Sequence, residues 1–200
     1  MSKKIMSKKI MFNDKFCLTQ AVLDGTKTMT RRVVPQSLLG KYDVWYEDFI
    51  YKSVGEENYM SVDEYVLKRT AYNIGDVVAI AQSYKEIYPN ADFEMIDGNF
   101  MTESAGWSNK MFVRVNLMKH HIRITEVKVE RLQNIPDNDI LREGILSPNG
   151  SKFSYINDNG MAHAFYTPRE AFAYLIDKIS GKGTWESNPW VAAYSFELVD

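Results

Sequence analysis

The stretch "DGTKTMTRR", Asp24 to Arg32, gathers a glycine turn, three threonines and three cations into nine residues. The chain around it is slightly acidic, with a formal net charge of -2 and a pI of about 6.0. Upstream, Leu18, Ala21 and Val22 fall at helical spacing between Asn13 and Gly25, and glycine is the usual residue just past a helix C-terminus. Downstream, "TMTRRVV" is rich in threonine and valine, which suits a strand. Its period-two geometry sets Thr28, Thr30 and Arg32 on one face and Met29, Arg31 and Val33 on the other. Lys27, Arg31 and Arg32 beside Thr28 and Thr30 supply charge, forked donors and hydroxyls at a strand mouth, as an anionic or carbonyl-bearing ligand requires. The plainer reading is a basic strand end facing water.

With 200 residues and 45% apolar content the chain can bury a full core, which predicts one domain, with or without insertions. Its balanced charge leaves no global electrostatic footprint for coating a duplex, so any nucleic-acid contact must be local. Cys17 is the single cysteine; it has no internal disulfide partner and no C-x-x-C spacing, and a reducing, cytoplasmic setting is expected. The longest apolar run, "AFAYLI" at 171–176, is far short of the roughly 20 residues that cross a bilayer. The opening "MSKKIMSKKI" is a tandem repeat without the apolar middle of a signal peptide, and residues 1–11 are set aside as a disordered extension.

Further along, Ser61 and Glu64 make a capping box for a helix ending near Arg69, within an aromatic segment over 36–72 that reads as an insertion or lid. "NIGDVVAIAQSY" gives a turn and a buried strand, and 85–110 reads as loop. In "HHIRITEVKVERL" the apolar parity changes between Ile124 and Val127, which predicts a bulge near Thr125 or Glu126. "IPDNDILREGI" is a short helix with acidic residues in its first turn, Glu143 its last residue and Gly144 its stop. Asn149-Gly150 and Asn159-Gly160 bracket a small hairpin. "TPREAFAYLIDKISG" has Thr167 as cap, Pro168 in the first turn, Glu170 completing a capping box and a stripe of Phe172, Leu175, Ile176 and Ile179. "NPWVAAYSFEL" closes the chain as a strand whose even positions, from Trp190 to Leu198, face a core. Strands with short helices between them and no βαβ rhythm predict an α+β protein around a mostly antiparallel or barrel-like sheet.

His120 and His121 are strand neighbours pointing to opposite faces and do not share an ion, so no metal site is expected. "GKGT" at 181–184 follows a helix where a phosphate loop would precede one, and is read as a C-cap and turn. There is no nucleophile elbow and no dinucleotide fingerprint, so no cofactor is expected.

The pattern Gly25, Lys27, Thr30, Arg32 (G-x-K-x-x-T-x-R) resembles the signature of the ASCH domain family in the PUA-like superfamily of RNA-associated β-barrels. Three further segments, "GDVVAIAQSY", "ITEVKVERLQNIPDNDILREGI" and "NPWVAAYSFEL", resemble that family in the same order, and the layout is similar to ASCH proteins of bacteriophages and prophages. The resemblance implies a small barrel over 12–200 with insertions at about 36–72 and 85–110. It implies a cleft where the first strand faces the acidic helix and holds RNA or a modified nucleoside. Some family members are amidohydrolases of acetylated cytidine, and carried over, Lys27 would be the base, Thr30 the nucleophile and Glu143 the acid. Such chemistry needs a lysine with a depressed pKa to activate a weak hydroxyl nucleophile. Arg32 would contact phosphate or a carbonyl oxygen, Thr28 and Arg31 would join it, and Tyr84 or Trp107 would offer a stacking face. Gln82 stands where the wider family often has a glutamate; it can read a base edge but supplies no acid or base. A third reading is a protein-binding module using the aromatic insertion from Tyr42 to Tyr72.

Overall fold

The computed structural model describes residues 8–51, 59–91, 93–147, 150–157, 160 and 162–199. The Asn13 side chain accepts from the Lys15 amide and starts a 3₁₀ turn at Asp14–Phe16. Cys17 then adopts a left-handed backbone, φ 51°, so the single helix expected here is split and α1 runs over Leu18–Leu23. The basic strand follows as β2, Met29–Val33.

The main sheet is mixed and has five strands. Besides β2 it contains β1 (Lys9–Ile10), β3 (Val77–Ile80), β6 (His121–Arg131) and β9 (Trp190–Leu198), in the order β1-β3-β6-β9-β2. The β1–β3 pair is parallel and the other pairs are antiparallel. The protein is therefore α+β. The register of β6 on β9 shifts between Ile124 and Glu126, the bulge that the parity change predicts.

Two expectations about this sheet are corrected. Lys9 and Ile10, expected in a disordered extension, pair with Ala79 and Ile80, and Ile10 is only 1% exposed. The apolar Ile10 gains burial beside β3 and joins the central core; residues 1–7 lie outside the described residues. Burial in β9 runs unbroken from Val191 to Phe196, so both faces of this strand are covered, with the small Ala193 and Ser195 on the second face.

No ladder joins β1 to β2 among the described residues, so the sheet is open. Its two edges nevertheless approach one another, because Arg32 on β2 donates from Nη2 to the carbonyl of Met11, the residue after β1.

The helix α6, Pro168–Ser180, has the capping box of Thr167 and Glu170 and buries Ala171, Phe172, Leu175 and Ile176 against the sheet core. The acidic helix α5 covers Asp137–Arg142, with Glu143 as its C-cap. A hairpin does form, from β7 (Phe153–Ile156) and β8 (Ala162–Phe165), but its second strand lies beyond Gly160 and not within the bracketed stretch; Asn149 and Asn159 lie outside the described residues.

The insertions hold more structure than their sequences suggest. Over 36–72, α2 (Gln36–Tyr51) pairs with α3 (Val62–Leu67), and the Tyr42 ring touches those of Trp45, Tyr46 and Tyr65. Over 85–110, α4 (Tyr84–Ile87) precedes a two-residue hairpin of β4 (Met95–Ile96) and β5 (Asn99–Phe100). Its turn residues Asp97 and Gly98 have φ of 51° and 83°, as a type I′ turn requires. Ala79, Ala81, Tyr84, Ile87, Met101, Val113 and Met118 make a second, smaller core beneath it.

Candidate ligand-binding cleft

One cleft of about 640 Å³ is lined by residues from β2, α6, Glu143 and the segment Met11–Lys15. Its floor is charged yet almost sealed from water: Lys27 is 2% exposed, Thr30 5%, Arg31 5% and Glu143 4%. Charges so deep in protein persist only when paired.

The chain brings these groups together by pairing Lys27 with Glu143 as an isolated antiparallel bridge, beside the Thr28 amide donating to the carbonyl of Arg142. Gly144 makes that approach possible. It has φ 95°, and a side chain there would meet Leu18 at 3.3 Å and Lys27 at 3.6 Å.

The Lys27 ammonium donates to Glu143 Oε2 at 2.7 Å and to the Glu143 carbonyl at 2.8 Å. Arg31 Nη1 donates to the other carboxylate oxygen, Glu143 Oε1, at 2.9 Å. Through Nε and Nη2 Arg31 also holds Glu130 Oε1, at 3.0 and 2.7 Å, and Nη2 reaches Asp139 Oδ2 at 3.2 Å. Lys128 shares Asp139 at 2.8 Å. Lys27, Glu143, Glu130, Asp139 and Lys128 thus form one charged network around Arg31.

Burial holds the Lys27 amine below its ordinary pKa, by more than the adjacent Glu143 raises it, and the Arg32 and Arg31 charges deepen the depression. Burial also works against the Arg31 cation, but Glu143 and Glu130 more than offset it, so Arg31 lies above its ordinary value. Asp139 is disfavoured by burial yet ends below the usual carboxylate range, because Lys128 and then Arg31 stabilise its charge.

Of the residues expected to form the site, Lys27, Thr30, Arg31, Arg32 and Glu143 all line this cleft. The others are placed elsewhere. Thr28 lies outside the lining and accepts from Arg142 Nε at 3.2 Å. Gln82 is buried and its Oε1 accepts from the Lys119 amide at 3.0 Å. Tyr84 is a member of the second core and Trp107 packs against it, so neither offers a stacking face to the cleft. Arg31, although in the lining, directs its guanidinium to three protein carboxylates. Glu143 accepts from Lys27 on one carboxylate oxygen and from Arg31 on the other.

The cleft also holds residues that the sequence did not single out for a site. Phe12, Asp14 and Lys15 come from beside the segment set aside as an extension, Lys110 from the end of the second insertion, and Leu18, Phe172, Leu175, Ile176 and Ile179 from helices. The helical stripe reads as core by periodicity, and most of it is core; the cleft exposes one side of it. Lys110 is held by Asp14 at 2.7 Å. The Phe12 ring lies 6.0 Å from the Lys27 ammonium and 5.9 Å from the Arg32 guanidinium.

Among the described residues no group of histidine, cysteine, aspartate and glutamate side chains could hold a metal ion, and no helix is long and apolar enough to cross a membrane. No protein-family model, no curated protein and no solved structure matches the chain.

Proposed function

We propose that the cleft binds a modified nucleoside, free or within RNA, in a PUA-like domain of the ASCH kind. The observation that carries this reading is the meeting of Lys27, Thr30 and Glu143, the residues to which the ASCH resemblance carries the site's chemistry, at the floor of one cleft. A volume of about 640 Å³ falls among small-molecule sites, which span roughly 300–1,000 Å³, and suits one nucleoside unit. The floor offers a hydroxyl and an ammonium to carbonyl oxygens, while Phe12, Phe172 and Leu175 offer apolar surface to a base. In a PUA-like barrel the sheet would close between β1 and β2, and the tie from Arg32 to Met11 supports that geometry.

A second reading, removal of an acyl group from acetylated cytidine, is favoured by two observations. The Lys27 amine has a depressed pKa, and the Thr30 hydroxyl makes no hydrogen bond among the described residues, which leaves it open to substrate. A neutral Lys27 would take the Thr30 proton as Oγ1 attacks the acyl carbon. That proton would pass to the exocyclic nitrogen as the C–N bond breaks, and water would hydrolyse the resulting ester. Glu143 would orient Lys27 and would not act as the acid. The protein-binding alternative would rest on the exposed Val44, Ile50, Tyr51 and Tyr59 of this segment, since the rings of Tyr42, Trp45 and Tyr65 pack on one another.

Thermal-shift titration with a panel of plain and base-modified nucleosides tests the binding reading, because a ligand bound only by the native state raises its stability. Stabilisation by a modified cytidine without turnover supports a reader. Release of acetate, lost in Thr30→Val, supports the hydrolase. An inert panel overturns both.

A further inference from the structure

We propose that the ligand of this cleft carries a phosphate, so that the cleft takes a nucleoside monophosphate unit and not a neutral nucleoside, with Arg32 as the phosphate-binding residue and Lys15 at the rim. The inference rests on the nucleoside reading of the same site.

Five cations line the cleft, and most of their charge is already answered. Lys27 and Arg31 face Glu143, Glu130 and Asp139, and Lys110 faces Asp14. Arg32 and Lys15 have no carboxylate partner among the described residues. Arg32 is half-buried, and its only hydrogen bond among the described residues goes from Nη2 to the Met11 carbonyl. A guanidinium has five N–H donors, so most of the fork is unanswered.

Glu143 acts on Arg32 only from beyond contact, and withdrawing a cation from water with no carboxylate against it costs free energy that a bound anion recovers. A carbonyl oxygen supplies no net charge, whereas a phosphate matches the planar fork with two parallel hydrogen bonds and neutralises it. The carboxylates near this position do not oppose an anion strongly. Glu143 is neutralised by Lys27 and Arg31, and Asp14, on the exposed rim, is held by Lys110. The cation excess sits on a protein whose overall charge is -2, so it is local to the cleft.

The test compares cytidine, cytidine 5′-monophosphate and inorganic phosphate by calorimetric titration and thermal shift, on the wild type, Arg32→Gln and Lys15→Gln. The monophosphate should bind at least tenfold more tightly than cytidine, and the advantage should vanish in Arg32→Gln and weaken with salt. Lys15 is exposed and makes no hydrogen bond through its side chain among the described residues, so Lys15→Gln should fold normally and lose part of the advantage even if Arg32→Gln is unstable. Equal affinity for cytidine and its monophosphate overturns the phosphate site and leaves the nucleoside reading standing. Stabilisation by inorganic phosphate that Arg32→Gln or Lys15→Gln reduces, with no response to cytidine or its monophosphate, keeps the anion site and sinks the nucleoside reading. No response of the wild type to any of the three probes overturns both.

Discussion

Lys27 and Glu143, 116 positions apart in the chain, are joined side chain to side chain at 2.7 Å and again through the Glu143 carbonyl at 2.8 Å, and both are nearly inaccessible to water. The pair welds the start of β2 to the end of α5. Its charges were removed from water to be there, which makes it costly to break and cheap to replace as a unit.

The first prediction follows. Glu143→Leu leaves the buried Lys27 without a carboxylate and should cost about 3–5 kcal/mol of stability, whereas Lys27→Met leaves Glu143 with Arg31 and should cost less. The double variant Lys27→Met/Glu143→Leu should cost clearly less than the two losses added together. Arg31 keeps Glu130 and Asp139 in that variant, so it is not orphaned. Urea unfolding of the four proteins measures the coupling, and additive losses would contradict the pairing.

The depressed Lys27 pKa has a definite pH signature. Between the folded value and the ordinary 10.5, the unfolded chain binds more protons at this residue than the folded one. The contribution of Lys27 therefore rises with pH across that window, is complete above 10.5, and is lost as pH falls through the folded value. Tyr155 acts in the opposite sense: burial, with Tyr174 beside it, pushes its phenol up to about 12, so its contribution is complete below the ordinary 10.0 and lost as pH rises towards 12. Relative to the wild type, Lys27→Met should lose the rising component and Tyr155→Phe the falling one, in denaturant midpoints followed from pH 8 to 12.

Thr30→Val preserves shape and removes a hydroxyl with no hydrogen-bond partner among the described residues. Stability should change by less than about 1 kcal/mol, since no internal hydrogen bond is lost. If Thr30 is the nucleophile, acetate release from acetylated cytidine should disappear while the protein remains folded. Turnover surviving in this variant would remove Thr30 from that role.

A fourth prediction separates the cleft from the second core. A Cβ on Gly106 would lie 2.4 and 2.6 Å from the Tyr84 ring, far inside contact distance, and that ring is buried. Gly106→Ala should destabilise the protein by about 1–3 kcal/mol through overpacking. Its effect on nucleoside or phosphate binding should be nil, because neither Tyr84 nor Trp107 lines the cleft. A loss of binding would return Tyr84 to the site.

The α+β class, the β6 bulge, α6 with its cap and the placement of Lys27, Thr30 and Glu143 were all legible, because each rests on local periodicity, capping chemistry or a short motif. The α2 helix was not, since its aromatic residues are held by one another across α2 and α3 and not by a clean apolar stripe. The β4–β5 hairpin had a readable turn in Asp97-Gly98, but strands of two residues carry too little alternation to stand out. Nearness in sequence points Tyr84 and Trp107 to the cleft, but the chain turns them into a separate core, and Gln82, suggested by the family resemblance, accepts from the Lys119 amide outside the cleft lining. Phe12 and Lys15 carry no motif or periodicity that marks them for a site, and the repeat over the first residues hides that Ile10 is already a core residue.

Lys9–Ile10 and Met29–Val33 are opposite margins of the sheet, and one guanidinium bridges them beside the cleft. The Met11 carbonyl occupies one donor of that fork and leaves the others to the anion proposed above. A single side chain would then serve both as the clasp between the sheet margins and as the seat of the ligand.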